Sequence, residues 1–306
     1  MSTTPSRRAA VLGHPVAHSL SPVLHTAAYR ALGLDGWDYG VHDVTEDTLA
    51  GFLEDVDRDP ARAWAGLSLT MPLKQVVIPL LDHVDPLAEA VGAVNTVLFT
   101  AVGGAVTTTG TNTDVHGIVA ALREGLGAGS GAGVGAGAGA RPVAEAVVLG
   151  GGATAASALA ALAELGCPSA RVFVRSLDRI GPLRAAVARM GVTPSFEVFD
   201  DTATTSALVT ADAVVSTTPK YAADTWAKLL TDGDRGAAPR GVLLDVVYDP
   251  RPTALQSAWT ALGARAVGGE RMLLHQAAEQ VRLMTGHVAP LSAMDEALRA
   301  ALAVPA

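Results

Sequence analysis

The 306-residue sequence is short of several things that define whole classes of protein. It has one cysteine, Cys167. That excludes an internal disulfide framework and a thiolate zinc cluster, and it suits a reducing cytoplasm. We read Cys167 as a small buried apolar side chain. Basic charge is also in deficit, with 22 Lys and Arg against 30 Asp and Glu, a net charge of -8. Such a surface repels a phosphate backbone, so nucleic acid is not an expected partner. Long hydrophobic runs are missing too. One long uncharged stretch, Ala146 to Ala163, is rich in alanine and holds Gly150, Gly151, Gly152, Thr154 and Ser157, which is too polar for a membrane span. Arg7 and Arg8 precede an apolar run that ends at Gly13, too short for a signal-peptide core or a twin-arginine signal. Charged residues are only 17% and hydrophobic ones 49%, so a chain disordered throughout is excluded as well.

What is present is alternation. Short apolar runs take turns with amphipathic segments, the pattern of an α/β protein with parallel strands. Ala9 to Leu12, Trp37 to His42 and Ala65 to Leu69 read as strands, with Pro22 to Leu32 and Glu46 to Glu54 as helices between them. Asp114 to Leu126 reads as a further helix. Gly127 to Ala140 then contains only Gly, Ala, Ser and Val and is expected to be a flexible loop. Beyond it the alternation restarts: strand Val143 to Leu149, helix Thr154 to Leu165, strand Arg171 to Val174, helix Arg179 to Met190, and strands Ala213 to Val215 and Val242 to Asp245. Helical patterns at Met272 to Met284 and Ser292 to Leu302 close the chain and are expected to pack back on the first unit. Length alone favours two domains.

The second unit opens on a nucleotide signature. A strand runs through Val147, Val148 and Leu149 into Gly150-Gly151-Gly152-Ala153-Thr154-Ala155 and a helix. In this G-x-G-x-x-A pattern Gly150 allows the tight turn, Gly152 lets the backbone approach a pyrophosphate, and Ala155 lets the helix sit close to the strand. The N–H groups at the helix start face the anion. After the next strand come Val174, Arg175 and Ser176, with no acid there to hold an NAD ribose. A guanidinium at that place suits a 2′-phosphate and hence NADP, with Asp178 as a rival ribose ligand.

The first unit gathers polar residues after its strands, where ligands of α/β sheets collect. Ser19 and Ser21 follow the first strand, although Ser21 before Pro22 also reads as a helix cap. Thr70 and Lys74 follow the third. Asn95 and Asp114 lie in Gly92-Ala93-Val94-Asn95-Thr96 and Gly110-Thr111-Asn112-Thr113-Asp114. His14 and His18 have the spacing of a zinc pair on a helix, but Pro15 breaks a helix there, and no metal is expected.

Taken together the sequence resembles the shikimate dehydrogenase family from Gly13 to Gly286. Six motifs carry the resemblance in order: Gly13-x-Pro15-x-x-His18-Ser19-x-Ser21-Pro22-x-x-His25, Thr70-x-Pro72-x-Lys74, Gly92 to Thr96, Asn112-Thr113-Asp114-x-x-Gly117, Asp245-Val246-x-Tyr248-x-Pro250-x-x-Thr253, and Met272-Leu273-x-x-Gln276-Ala277. The resemblance implies a substrate domain over residues 1–113, a Rossmann-type NADP domain over 114–269, and C-terminal helices over 270–306 that return to the substrate domain, with the site in the cleft. It implies Lys74 and Asp114 as the catalytic pair. Ser19 and Ser21, helped by Tyr248, would bind the substrate carboxylate, and Thr70, Asn95 and Gln276 the ring hydroxyls. Gly150 to Ala155, Arg175, Ser176, Val246 and Gly269 would bind NADP.

The implied reaction is reversible reduction of 3-dehydroshikimate to shikimate with NADPH, on the route to chorismate and the aromatic amino acids. Lys74, as an ammonium, would protonate the developing alkoxide. The sequence departs from the family at Ser68, usually Asn; at Val174, usually Asn; at Ala153, more often a fourth glycine; and at Glu270-Arg271, usually an apolar residue and glycine. Two alternatives stand beside this reading. One is a quinate or aminoshikimate dehydrogenase of the same superfamily, and the other is a ligand-binding sensor that has lost the chemistry. Monomer and homodimer both remain open.

Overall fold

The computed structural model describes residues 7–59, 61–102, 105–127, 143–232 and 238–303. The chain divides into two compact units, one made of Met1–Thr113 with Leu273–Ala306 and the other of Asp114–Met272. The first begins with β1 (Arg7–Gly13), α1 (Ser21–Ala31), β2 (Trp37–Asp43), α2 (Glu46–Asp57) and β3 (Trp64–Leu69). It continues through α3 (Leu73–Val76), β4 (His83–Val84), α4 (Pro86–Val91), β5 (Thr96–Val102) and β6 (Ala105–Thr111). The second unit runs α5 (Asp114–Gly127), β7 (Ala146–Leu149), α6 (Ala153–Glu164), β8 (Arg171–Val174), α7 (Gly181–Met190) and β9 (Ser195–Val198). Then follow α8 (Asp201–Thr210), β10 (Ala213–Ser216), α9 (Asp224–Asp232), β11 (Val242–Asp245), α10 (Ala254–Ala261) and β12 (Arg265–Gly268). The division falls inside α11 (Gly269–Thr285), and α12 (Leu291–Ala303) completes the first unit.

The first unit is a mixed six-stranded sheet in the order β2-β1-β3-β5-β6-β4. β1 pairs parallel with β2 and β3, whereas β5 runs antiparallel to both β3 and β6. One apolar cluster joins Leu12, Leu49, Leu67, Leu73 and Val97. Another packs Leu24 and Ala28 of α1 with Leu274, Ala277 and Val281 of α11 and with Met294 and Leu298 of α12. The ends of β1 and β3 are drawn together at Gly13. A Cβ there would meet Thr70 Cγ2 at 2.3 Å and Met71 O at 2.9 Å, and His14 N donates to Met71 O at 3.0 Å. No other residue type lets these two loops approach so closely.

The second unit is wholly parallel, ordered β12-β11-β10-β7-β8-β9. Renumbered within the unit this is 3-2-1-4-5-6, the doubly wound order, and strand order reverses between β7 and β10. Its central strands are buried on both faces, so Ala146–Leu149 and residues 242–244 read as unbroken apolar runs. Trp226, Trp259, Phe173 and Leu243 fill its core.

Several boundaries differ from expectation for visible reasons. β7 starts at Ala146 and not Val143, because Ala144 N and Glu145 N both donate to Asp212 Oδ2 at 3.0 Å instead of joining the ladder. α7 starts at Gly181, two residues later than Arg179: Leu177–Arg179 forms a separate turn, and Pro182 stands in the first turn of the helix. Ser21 is the first residue of α1 rather than its cap, and no side chain caps that helix. The Gly127–Ala140 run lies outside the described residues except for Gly127, the last residue of α5. Cys167 is buried, and burial pushes its thiol pKa up.

Candidate active site

In the first unit two of the expected ring-binding residues, Asn95 and Gln276, come into contact. Asn95, between α4 and β5, is 2% exposed, and its backbone carbonyl accepts from Leu69 N at 2.7 Å. Its side chain is held on two sides. Oδ1 accepts from Thr113 N at 2.7 Å and Thr96 Oγ1 at 3.0 Å, while Nδ2 donates to Thr113 Oγ1 at 3.0 Å and Gln276 Oε1 at 3.4 Å. Gln276, from α11, is itself anchored by donation to Leu273 O at 3.0 Å. Asn95 and Gln276, 181 residues apart, are thus in contact.

Thr70 stands one residue past β3, with its N–H on Leu12 O at 2.9 Å and its carbonyl accepting Leu73 N at 2.9 Å. That turn leads into α3, which carries half-buried Lys74, and Lys74 O accepts Val94 N at 2.8 Å. The lysine is therefore tied by its backbone to the segment that bears Asn95. Asp114 is buried and follows Thr113 by one peptide bond, at the start of α5. Ser19 folds back, its N–H on Val16 O at 3.0 Å and its Oγ accepting Ser21 N at 3.3 Å. Ser21 is buried, and its hydroxyl hydrogen-bonds to Tyr39. His14, once weighed as half of a metal pair, places Nδ1 2.6 Å from Asp43 Oδ1 on the surface.

Ser68, where the family usually has Asn, is buried and doubly bonded: it accepts from Tyr39 Oη at 2.6 Å and donates to Gln280 Oε1 at 2.9 Å. Gln280, Tyr39 and His25 were not singled out in the sequence as site residues. Their contacts span up to 255 positions, and although His25 closes the first motif, no local pattern announces Tyr39 or Gln280.

In the second unit the glycine turn has three glycines with three jobs. Gly150 has φ +112°, and a Cβ on it would meet Thr217 Oγ1 at 2.5 Å, so it requires glycine twice over. Gly151 lies against β8: its Cβ would touch Ile180 at 2.9 Å and Val174 at 3.0 Å. Val174, the second departure from the family, is the buried floor of this turn. Gly152 precedes α6, and a Cβ there would meet nothing within 4 Å. Ala155 is fully buried, which lets α6 sit on the sheet. Ala153 and Thr154 form the first turn, whose N–H groups have no intrahelical acceptor. The arrangement leaves open space where an anion approaches a helix start, and it fits a dinucleotide pyrophosphate.

Arg175 is exposed just after β8, and Ser176 Oγ accepts Asp178 N at 3.3 Å, which shapes the turn. Arg179, also exposed, adds a second guanidinium to that turn and was missed in the sequence. Across the reversal point, Thr217 Oγ1 donates to Leu149 O at 2.9 Å. Val246 and Gly269 are brought together, since a Cβ on Gly269 would meet Val246 O at 2.1 Å. Tyr248 lies two residues past Val246, and burial pushes its phenol pKa up. Arg271, another departure, pairs with Glu124 of α5 through two contacts of 2.7 Å.

A reversal-point glycine turn on a doubly wound parallel sheet, together with a separate mixed-sheet unit carrying a lysine turn and a buried amide cluster, defines a two-unit α/β nucleotide-binding protein. Comparison with known proteins narrows this. Residues 11–97 match the shikimate dehydrogenase substrate binding domain, and residues 269–299 match the shikimate 5′-dehydrogenase C-terminal domain. The shikimate dehydrogenase (NADP(+)) of Geobacter sp. (strain M21) is 36% identical, with 99% of this chain and 98% of that one covered. The crystal structure of Mycobacterium tuberculosis shikimate dehydrogenase is 37% identical with a TM-score of 0.78, covering 96% of this chain and 99% of that chain. A Thermus thermophilus shikimate 5-dehydrogenase, solved in complex with NADP(H) and shikimate, is 32% identical with a TM-score of 0.72, over 96% of this chain and 99% of that one. The chain belongs to the shikimate dehydrogenase family.

Proposed function

We propose that the protein is an NADP-dependent shikimate dehydrogenase, an oxidoreductase acting on a CH–OH group, which reversibly reduces 3-dehydroshikimate to shikimate in aromatic amino-acid biosynthesis. The observation that carries this is the Asn95, Thr113 and Gln276 cluster, backbone-tied to the turn bearing Lys74 and followed directly by Asp114. Residues 1–113 and 270–306 take the substrate, and 114–269 take the cofactor. Gly150 to Ala155 hold the pyrophosphate, Arg175 and Ser176 the 2′-phosphate end, and Val246 and Gly269 the nicotinamide end.

The hydride that reduces the ketone comes from bound NADPH. Every other demand of the reaction falls on side chains of this chain. As the carbonyl oxygen gains negative charge, the Lys74 ammonium stabilises it and delivers the proton that completes the alcohol. Asp114 orients that ammonium. The Ser19 and Ser21 hydroxyls, with Tyr248, hold the carboxylate. Thr70, Asn95 and Gln276 hold the ring hydroxyls and so fix which carbon faces the cofactor. Asn95 Oδ1 accepts from Thr113 N and Thr96 Oγ1, so Asn95 meets the substrate as an N–H donor when its long 3.4 Å bond to Gln276 Oε1 yields to the ring hydroxyl.

We place the protein in the cytoplasm, a reading that a single unpaired and buried thiol suits. Among the described residues no helix is long and apolar enough to cross a membrane. Light scattering of the purified chain decides between monomer and homodimer. Steady-state assay of shikimate and quinate, each with NADP and NAD, tests the activity. The expected result is the highest kcat/KM for shikimate with NADP. A preference for quinate moves the protein to the sister activity, and no absorbance change with any pair makes it a sensor.

A further inference from the structure

Behind the expected substrate residues lies a buried polar chain whose donor and acceptor directions can be worked out from one fixed point. The fixed point is Thr113 N, a backbone N–H that can only donate, 2.7 Å from the Asn95 side chain. Asn95 must therefore present its oxygen there. Thr96 Oγ1, 3.0 Å from the same oxygen, must donate to it, and so has only its lone pairs left for Gln280. Gln280 must then turn its amide nitrogen to Thr96, at 2.9 Å, and its oxygen the other way. That oxygen faces Ser68 Oγ at 2.9 Å and His25 Nε2 at 3.2 Å, so both donate to it. Ser68 consequently accepts from Tyr39 Oη at 2.6 Å, and the neutral His25 accepts from Tyr29 Oη at 3.4 Å on Nδ1.

Independent facts agree with this direction. His25 is fully buried, and its pKa is pushed down to about 3 by desolvation, so it is the neutral single-proton form that the chain demands. Its ring stacks on Tyr39, with centroids 4.0 Å apart and planes 18° apart. Tyr39 in turn hydrogen-bonds with Ser21. Gln280, 1% exposed, is the node: it joins the Asn95 end to the Tyr39 and Ser21 end.

We propose that Gln280 is a positioning residue for substrate recognition: through Thr96 it braces the Asn95 carboxamide in the direction that Thr113 N fixes, and through Ser68 it takes up the Tyr39 hydrogen, which leaves Tyr39 Oη an acceptor for the Ser21 hydroxyl. The proposal rests on the substrate-site reading given above. Its chemical content is that one carboxamide couples the two ends of a polyhydroxy acid. Breaking the chain at Gln280 uncouples one end from the other.

Two variants test it. Gln280→Met keeps the length and removes both hydrogen-bonding groups. We expect KM for shikimate to rise about 5- to 10-fold, the equivalent of one net hydrogen bond, with KM for NADP unchanged within about twofold. Gln280→Glu keeps the acceptor and offers Thr96 a donor only when protonated. The titratable side chains facing it are His25 and, one hydroxyl further on, Tyr39. The ratio of its shikimate KM to that of the parent should climb as pH rises and the new carboxyl ionises, and return toward one as pH falls. A merely structural role would lower the melting temperature of both variants while leaving the folded fraction with parental KM and no such pH dependence, and that result overturns the proposal. Should the Met variant fail to fold, the pH dependence of the Glu variant decides alone. A parent protein that turns over neither shikimate nor quinate overturns the substrate-site reading and this proposal with it; an active parent with unaffected variants overturns this proposal only.

Discussion

On the reading proposed above, the two halves of the candidate site would recognise their ligands by opposite means. In the second unit recognition is built from backbone: a glycine at φ +112°, a glycine with open space beside it, and the first N–H groups of α6. In the first unit it is built from side chains: Asn95, Gln276, Ser21 and Thr70, backed by Thr96, Gln280, Ser68 and Tyr39. A pyrophosphate asks only for N–H groups and room, so Ala153 can stand where a relative has glycine. A polyhydroxylated ring demands a particular sequence of donors and acceptors, and each added carboxamide or hydroxyl narrows what fits. Exchange Asn for Ser at position 68 and the chain must be completed by other groups, here Tyr39 and Gln280.

Breaking the side-chain half at its reactive member should have the largest effect. Lys74→Ala is expected to lower kcat by about 10²- to 10⁴-fold, the usual consequence of removing a general acid. Circular dichroism should show the parental fold, and a folded variant with near-normal turnover would remove Lys74 from the mechanism. The cofactor half has one side chain whose loss should register strongly, because the 2′-phosphate end is read by charge and not by backbone. Arg175→Ala should raise KM for NADP by about 10- to 150-fold, from charge-assisted bonds of about 1.5 to 3 kcal/mol each, and change KM for NAD little. Equal loss with both cofactors would show that Arg175 only faces solvent. A double change with Arg179→Ala would sharpen the result if one guanidinium covers for the other.

The gentlest probe is pH. His25 has an ordinary pKa of 6.5 when unfolded and about 3 when folded. Below 6.5 the unfolded chain takes up a proton that the folded chain refuses, so stability present above 6.5 is lost progressively as pH falls toward 3. Plotted against pH, the melting temperature of the parent should fall more steeply across that interval than that of His25→Asn, which cannot titrate. Parallel curves would mean that His25 is not held neutral. Other acid-sensitive groups are common to both proteins and cancel in the difference.

How far these features could be read in the sequence depends on whether their partners are local. Parallel strands buried on both faces announce themselves, and Arg171–Val174 and Val242–Asp245 were legible to the residue. The β5 and β6 pair, rich in threonine at Thr107, Thr108 and Thr109, was not. Neither were the short polar edge strands β9 and β12, nor α8, whose Thr and Ser content masks its helical period. Among site residues, the glycine turn carries its own signal in five positions. Lys74, Asp114 and Gln276 became legible only through an ordered set of motifs. Gln280 had no such help: its partners are His25, Ser68 and Thr96, and nothing short of the folded chain places them side by side.

The division inside α11 also sets a timetable. A ribosome delivers the sheet of the first unit, then all of Asp114–Met272, and only afterwards the stretch bearing Gln276 and Gln280. Until that last stretch emerges, the carboxamide of Asn95 and the hydroxyls of Ser68 and Thr96 lack the amides that bind them. The nucleotide-binding half has its last strand, β12, eight residues before Gln276. Nascent chains therefore carry a finished second unit and a first unit still waiting for its last two helices, and the side chains that read the substrate are the last to be set in place.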